Sequence, residues 1–169
     1  TLVPAFARVV REDQEALLVI AGGDEGGYRG EVEKWIDKNK VRPNVIFTDM
    51  LVGREKLGVL IDADVFVLPS YSENFGMSVL EAMYFGLPVV VTTNVGLAPY
   101  VEEVGAGLVV PKEEDKIAEA ILKILRNPRL GQDMGEAGKR LVKENFTSDK
   151  IAEQFIRSYN EIIKNNKLT

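Results

Sequence analysis

The sequence contains no cysteine and no histidine among its 169 residues. Their absence excludes disulfide bonds, zinc-finger ligand sets, Cys-His or Ser-His nucleophilic catalysis and histidine general bases. Any chemistry must therefore use carboxylates, lysine or arginine, hydroxyl groups or backbone amides. Long apolar runs are also missing, since no stretch approaches the roughly 20 residues that a membrane-spanning helix needs. We expect no integral membrane segment and a cytoplasmic location, and peripheral membrane contact stays open for the full-length protein.

Positive charge is in short supply, with 21 lysines and arginines against 26 acidic residues and a formal net charge of −5. Because neutralising phosphates requires a basic stripe, this balance argues against a nucleic-acid surface. The hydrophobic fraction of 46% fits one globular domain with a real core. The chain opens on Thr1 and enters a helical pattern at once, so we expect a fragment of a longer protein.

Short apolar runs rich in β-branched residues alternate with helical stretches along the first two thirds of the chain. This alternation is typical of a parallel sheet covered on both faces. We therefore predict an α/β fold over residues 1–169, with a Rossmann-like open parallel sheet and a helical C-terminal tail. The predicted strands are 17–21, 45–48, 65–68, 89–92 and 108–110. The predicted helices are 1–11, 30–40, 54–63, 77–85, 99–104, 115–126, 130–144 and 148–164.

The predicted strands run into polar or glycine-rich loops, at residues 22–27, 49–50, 69–73 and 93–96. In an open parallel sheet the ligand crevice lies outside the carboxyl ends of the strands, so these loops should form its rim. The most informative loop precedes the helix that Gly76 opens. Free N–H groups at a helix start, together with the helix dipole, favour an anion such as a phosphate or diphosphate.

Two glutamates flank this predicted anion site. Glu81 lies about one turn inside a helix whose other positions are mostly apolar, so its carboxylate needs hydrogen-bond donors. Paired sugar hydroxyls would supply them, and the alternative is a lysine or arginine from elsewhere in the fold. Glu73 lies at the mouth of the crevice, where it either contacts a polyol attached to the phosphate or is an exposed loop acid near a helix N-terminus.

Several segments together resemble the retaining nucleotide-sugar glycosyltransferases of family 4, also called group 1. The resemblance rests on Val65 to Ser70, Glu73-Asn74-Phe75-Gly76, Leu80 to Met83 and Gly86 to Val90, and it extends over most of the chain. It implies the C-terminal, nucleotide-sugar-binding domain of a fold in which two Rossmann-like halves face each other across a cleft. By comparison with that family pattern, we expect this sequence to be a fragment that lacks the first strand of this domain and the N-terminal acceptor-binding domain.

The resemblance also implies roles for individual residues. Glu73 would be the catalytic residue that holds the donor sugar and stabilises charge near the reacting carbon. Glu81 would bind the ribose hydroxyls, and the backbone amides of residues 75–79 would face the sugar and diphosphate. The base would lie near the loop around Thr48, where Asp49 replaces a glycine that is common in the family. The implied binding residues are Gly22, Asp49, Met50, Asn74, Phe75, Gly76, Met77, Ser78, Val79 and Glu81.

The same resemblance places an Arg and a Lys that neutralise the leaving diphosphate in a segment that this sequence lacks. We therefore expect the chain alone to have little or no transferase activity. No cofactor is expected, because the nucleoside-diphosphate sugar is itself the donor substrate. The expected partners are this nucleotide sugar and the missing N-terminal domain of the same chain. No metal is expected either. Asp62-Ala63-Asp64 fits a metal-binding pattern, but it precedes its strand and therefore lies away from the crevice.

Two further interpretations complete the sequence-based picture. The C-terminal helices should pack as core, through Ile117, Ile121, Ile124 and Leu125 and then through Ile151, Phe155, Tyr159 and Ile162. The functional alternatives are a noncatalytic Rossmann-type nucleotide-binding or interaction module, and half of a sugar-nucleotide epimerase or phosphorylase. Fold alone cannot separate these from a glycosyltransferase.

Overall fold

The computed structural model describes residues 1–24 and 26–166 as helices alternating with parallel strands. The strands are β1 (Leu18–Ala21), β2 (Val45–Thr48), β3 (Phe66–Leu68), β4 (Val89–Thr92) and β5 (Gly107–Val110). The helices are α1 (Leu2–Glu12), α2 (Arg29–Asn39), α3 (Gly53–Asp62), α4 (Met77–Tyr84), α5 (Ala98–Val104), α6 (Glu114–Leu125), α7 (Pro128–Asn145) and α8 (Ser148–Asn166). The predicted Rossmann-like α/β architecture is confirmed, with strand and helix boundaries within about two residues of those expected.

The strands form two parallel sheets rather than one continuous sheet. β1 pairs with β2, and β3, β4 and β5 pair in that order. Side chains from both sheets, including Leu18 and Val67, pack into one hydrophobic cluster with Phe6 of α1. Among the described strands, no ladder of hydrogen bonds joins the β1–β2 sheet to the β3–β4–β5 sheet. The strand order runs from β1 to β2 in one sheet and from β3 through β4 to β5 in the other, so the topological switch point lies between the two sheets.

The core lies on both faces of β4, whose four residues are all buried. Val89 and Val91 pack toward α4, α5 and α7, whereas Val90 points to the opposite face with α1 and α6. The continuous Val-Val-Val run reflects this two-sided burial, because a central parallel strand has no solvent face. The predicted packing of Ile117, Ile121 and Ile124 in α6 is confirmed, since all three are buried.

A stripe of small residues brings α7 close to the turn after α4. Gly131, Gly135 and Gly138 recur at helical spacing, and all three are buried on one face of α7. A Cβ placed on Gly135 would lie 1.9 Å from the backbone oxygen of Gly86, and one on Gly138 would lie 3.0 Å from Met83 Cγ. Glycine at these positions therefore sets the distance between α7 and the helix that carries the candidate site.

Helix α8 does not pack as core, which corrects the sequence-based expectation. It begins after Thr147, whose hydroxyl accepts the Lys150 N–H at 3.4 Å. Phe155, Tyr159 and Ile162 each remain more than half exposed, while Ile151 is partly buried. The helix periodicity predicted an apolar face correctly, but no described element of this chain covers it.

Across the two described ranges, no helix combines the length and the apolar composition that crossing a membrane requires. The cytoplasmic location stays a prediction.

Candidate functional site

The loops that follow β1 and β3 border the switch point at the carboxyl edge of the sheets. The first begins at Gly22 and continues to α2, and it includes Glu25, which lies outside the described residues. The second covers residues 69–76 and leads into α4. Because ligands of open α/β sheets bind where the strand order reverses, these two loops mark the candidate site.

Backbone hydrogen bonds brace the loop before α4 against the loop after β4. The Glu73 N–H donates to the Asn94 carbonyl at 3.1 Å, the Gly96 N–H donates to the Glu73 carbonyl at 2.9 Å, and the Leu97 N–H donates to the Phe75 carbonyl at 3.1 Å. A Cβ on Gly96 would lie 2.0 Å from the Asn74 oxygen, so the two loops touch backbone to backbone. The loop is therefore fixed before any ligand binds.

This bracing also orients the Glu73 side chain. Its Oε1 accepts the Phe75 N–H at 3.3 Å, and the residue is partly buried at the edge of the crevice. One carboxylate oxygen is thus held by the loop itself, and the carboxylate keeps further lone pairs for a ligand. The phenyl ring of Phe75 packs edge-on against Phe146 with their centroids 5.8 Å apart.

The backbone amides of Gly76, Met77 and Ser78 at the start of α4 have no acceptor among the residues that the structure describes. Gly76 precedes the helix with φ +99, in a region that L side chains rarely adopt, and its own Cβ position is crowded by Val95 and Val79. Its carbonyl accepts the N–H groups of Val79 and Leu80, at 2.9 and 3.1 Å. In the ligand-free chain the Val79 N–H is therefore already used and the residue is buried, and the Phe75 N–H is likewise bonded to Glu73 Oε1. Gly76, Met77 and Ser78 remain as donors, and the last two are exposed.

Glu81 forms an ion pair with Lys56 that joins α4 to α3. The Lys56 Nζ donates to Glu81 Oε1 at 2.7 Å, and the two side chains are 41% and 39% exposed. In the ligand-free chain, Glu81 therefore has a cationic partner, which was the alternative to sugar hydroxyls. The pair is open to solvent, so the carboxylate keeps access to the crevice surface. α4 is also less buried than its apolar composition predicts, because Met77 and Tyr84 are exposed.

The residues expected near the base lie at the rim beside β1 and β2. The Gly22 N–H donates to the Thr48 carbonyl at 3.3 Å, which ties the loop after β1 to the end of β2. Asp49 is 94% exposed with one oxygen 3.6 Å from the Arg29 guanidinium, and Met50 is also exposed. These side chains flank the crevice without forming a closed pocket.

Two cations at the rim were given no role by the sequence reasoning. Arg29 opens α2 and stacks 4.5 Å above the Phe47 ring while it reaches Asp49. Arg29 and Asp49 are 20 positions apart in the sequence, and Lys56 and Glu81 are 25 positions apart, so no local spacing could have indicated either ion pair.

The acidic pair at residues 62 and 64 lies where the sequence indicated. Asp62 ends α3 and Asp64 precedes β3, which places both at the amino end of that strand. Within residues 1–24 and 26–166, no three histidine, cysteine or acidic side chains come together as metal ligands would.

The parallel strands, the covering helices and the braced loops at the switch point define an α/β protein of the Rossmann-like class. The chain belongs to the family of glycosyl transferases group 1, whose model matches residues 1–141. It is 33% identical over 159 residues to an uncharacterized glycosyltransferase of Methanocaldococcus jannaschii, covering 94% of this chain and 40% of that protein. It is 27% identical over 169 residues to the human alpha-1,3/1,6-mannosyltransferase ALG2, covering 96% of this chain and 41% of that protein.

The fold also matches solved glycosyltransferase structures. Anabaena HepE, solved in complex with UDP and glucose, superposes with a TM-score of 0.82 at 20% identity, covering 94% of this chain and 43% of that chain. The chain spans about two fifths of the length of the curated relatives named above. The predicted membership in group 1 is thus confirmed, and the Rossmann-like fold matches one part of these longer structures.

Proposed function

We propose that this chain is the donor-binding half of a retaining glycosyltransferase that moves a sugar from a nucleoside-diphosphate sugar to an acceptor. The observation that carries the proposal is the braced loop at the switch point. It presents the free amides of Gly76, Met77 and Ser78 between two carboxylates, Glu73 and Glu81. The helix dipole adds about half a positive charge where these amides point, which suits a diphosphate.

Each part of a nucleotide sugar has a counterpart at this rim. The diphosphate binds the amides at the start of α4, and the ribose hydroxyls donate to Glu81, one helical turn further along the same face. The donor sugar contacts Glu73, and the base lies near Gly22 and Asp49. The complex of HepE with UDP and glucose supports this class of ligand for the fold, and the mannosyltransferase relative supports a hexose as the transferred group.

The mechanism we propose is electrostatic. Charge develops on the diphosphate as its bond to the sugar breaks, and the preorganised amides of α4 stabilise that charge without reorganising. Glu73 stabilises the opposite charge near the reacting carbon. The reaction needs no cofactor in this proposal, and the acceptor and further cations come from the remainder of the protein. The isolated chain is then inactive as a transferase.

The split sheet supports the proposed domain organisation. β4 is fully buried, as expected of a strand in the middle of a Rossmann sheet, which is covered on both faces. β1 and β3 are only partly buried. One more parallel strand between β1 and β3 would join the two sheets in the strand order typical of Rossmann folds. We assign this strand to the segment just before α1, since a right-handed crossover through α1 would place it there.

The exposed apolar face of α8 supports the proposed presence of an N-terminal domain. We propose that the N-terminal domain of the same protein covers Phe155, Tyr159 and Ile162, which this domain leaves in solvent.

Restoring the upstream segment of the natural protein should make the sheet continuous. We expect the longer chain to unfold at a higher temperature and the amides of β1 and β3 to exchange more slowly with solvent, because both edges gain hydrogen bonds. Hydrogen exchange read strand by strand checks this, and β4 serves as the internal control. Unchanged exchange at β1 and β3 would contradict the proposed strand.

Nucleotide binding tests the proposed function on the chain itself. We expect UDP, GDP or ADP, or one of their sugar conjugates, to raise the melting temperature, because a ligand that binds only the folded state stabilises it by mass action. Thermal unfolding with each nucleotide at increasing concentration measures the effect, and inorganic phosphate is the control. A noncatalytic interaction module should respond to none of the nucleotides, which would contradict the proposal.

A further inference from the structure

The ion pair between Lys56 and Glu81 lies at a boundary in the candidate site. α3 begins directly after the loop that contains Asp49 and Met50, and Lys56 is the fourth residue of this helix. Glu81 is the fifth residue of α4, which begins at the braced loop. The pair therefore connects the side of the rim assigned to the base with the side assigned to the diphosphate, where a ribose would lie.

The geometry of the pair leaves the carboxylate able to bind a ligand. Lys56 Nζ donates a hydrogen bond to Glu81 Oε1. Among the residues that the structure describes, no other side chain donates to this carboxylate. An ionised carboxylate can accept about four hydrogen bonds, so Oε2 stays available. With 39% of the Glu81 side chain exposed, incoming hydroxyls can reach that oxygen.

A purely structural role accounts poorly for this pair. Ion pairs with this much solvent exposure contribute little to folding stability. Three other Lys–Glu pairs, Lys34–Glu31, Lys116–Glu119 and Lys150–Glu153, each join residues three apart within one helix. Lys56 instead reaches from α3 to α4, and it does so at the carboxylate that the proposed function assigns to the ribose.

We propose that Lys56 is a positioning residue for ribose recognition, an inference that rests on the proposed function. Its ammonium fixes the direction of the Glu81 carboxylate, so that Oε2 faces the crevice and receives the ribose hydroxyls. Lys56 acts through Glu81 and makes no direct contact with the reacting atoms.

The test compares ribose with deoxyribose nucleotides, because only the ribose carries the 2′-hydroxyl. Calorimetric titrations give the Kd values of UDP, GDP and ADP and of their 2′-deoxy counterparts. They are measured on the unsubstituted chain, Lys56→Met, Lys56→Arg and the control Lys116→Met. We expect the unsubstituted chain to favour the ribonucleotide about tenfold, Lys56→Met to lose most of this preference, and Lys56→Arg to retain it. Lys116→Met should match the unsubstituted chain.

Three results would overturn the inference. The first is an undiminished ribose preference in Lys56→Met. The second is an equal loss of affinity for both nucleotide types, which would make Lys56 a phosphate-binding cation. The third is a further loss when Lys56→Met is added to Glu81→Gln, since a residue that acts through Glu81 has no effect once that carboxylate is gone. A chain that binds none of the nucleotides would overturn the proposed function as well, so the two failures are distinguishable.

Discussion

Replacing Gly135 by alanine is expected to lower the melting temperature by about 4–8 °C. The new Cβ would lie 1.9 Å from the Gly86 oxygen, so α7 must move away from the turn that follows α4. Overpacking of this kind costs about 3 kcal/mol, and the better helix propensity of alanine recovers about 1 kcal/mol. The free energy of unfolding should fall by about 2 kcal/mol, which thermal circular dichroism measures.

Gly58→Ala in α3 is the matched control for Gly135→Ala. No heavy atom lies within 4 Å of a Cβ at Gly58, so alanine adds helix propensity without a clash. We expect this variant to be more stable by up to about 1 kcal/mol, the opposite sign from Gly135→Ala. If Gly135→Ala melted at the same temperature as the parent chain or higher, as Gly58→Ala should, the close approach of α7 would be contradicted.

Replacing Glu81 by alanine is expected to weaken nucleoside-diphosphate binding about 100-fold. Hydrogen bonds to a charged group contribute about 1.5–3 kcal/mol each, and tenfold in Kd corresponds to about 1.4 kcal/mol. Loss of the ribose contacts therefore removes most of the affinity of a half-exposed site. Titration with the nucleotide that stabilises the parent chain most strongly measures the change.

The folded state itself should tolerate Glu81→Ala. The ion pair with Lys56 is about 40% exposed on both sides, so its loss costs at most about 1 kcal/mol. Glu102→Ala, at an exposed position of α5, is the control and should bind nucleotide like the parent chain. If Glu81→Ala bound the nucleotide as tightly as the parent chain, the proposed contact between Glu81 and the ribose would be contradicted.

The fold was predictable because its signals are local. The buried run in β4 identifies a central parallel strand, and Gly76 with the acidic residues around it identifies a loop that opens a helix. The division into two sheets was not predicted from strand patterns, because pairing depends on which strands lie side by side. The close approach at Gly135 was missed, although the spacing of residues 131, 135 and 138 is a signal that helix periodicity could have detected.

The site was only partly predictable for related reasons. The free amides at the start of α4 follow from its sequence, but the bond from Val79 to the Gly76 carbonyl depends on how tightly the first turn winds. The Lys56 partner of Glu81 is 25 residues away, and its contact depends on how α3 crosses beside α4. The amphipathic pattern of α8 indicates an apolar face, yet it does not say which part of the protein covers that face.

A crystal structure of the chain with bound UDP, GDP or ADP, whichever stabilises it most, tests the central claim most directly. The account predicts diphosphate oxygens about 3 Å from the backbone nitrogens of Gly76, Met77 or Ser78. It also predicts that the ribose hydroxyls donate to the free oxygen of Glu81 while Lys56 holds the other. A nucleotide bound away from the start of α4, or a ribose that makes no contact with Glu81, would contradict it.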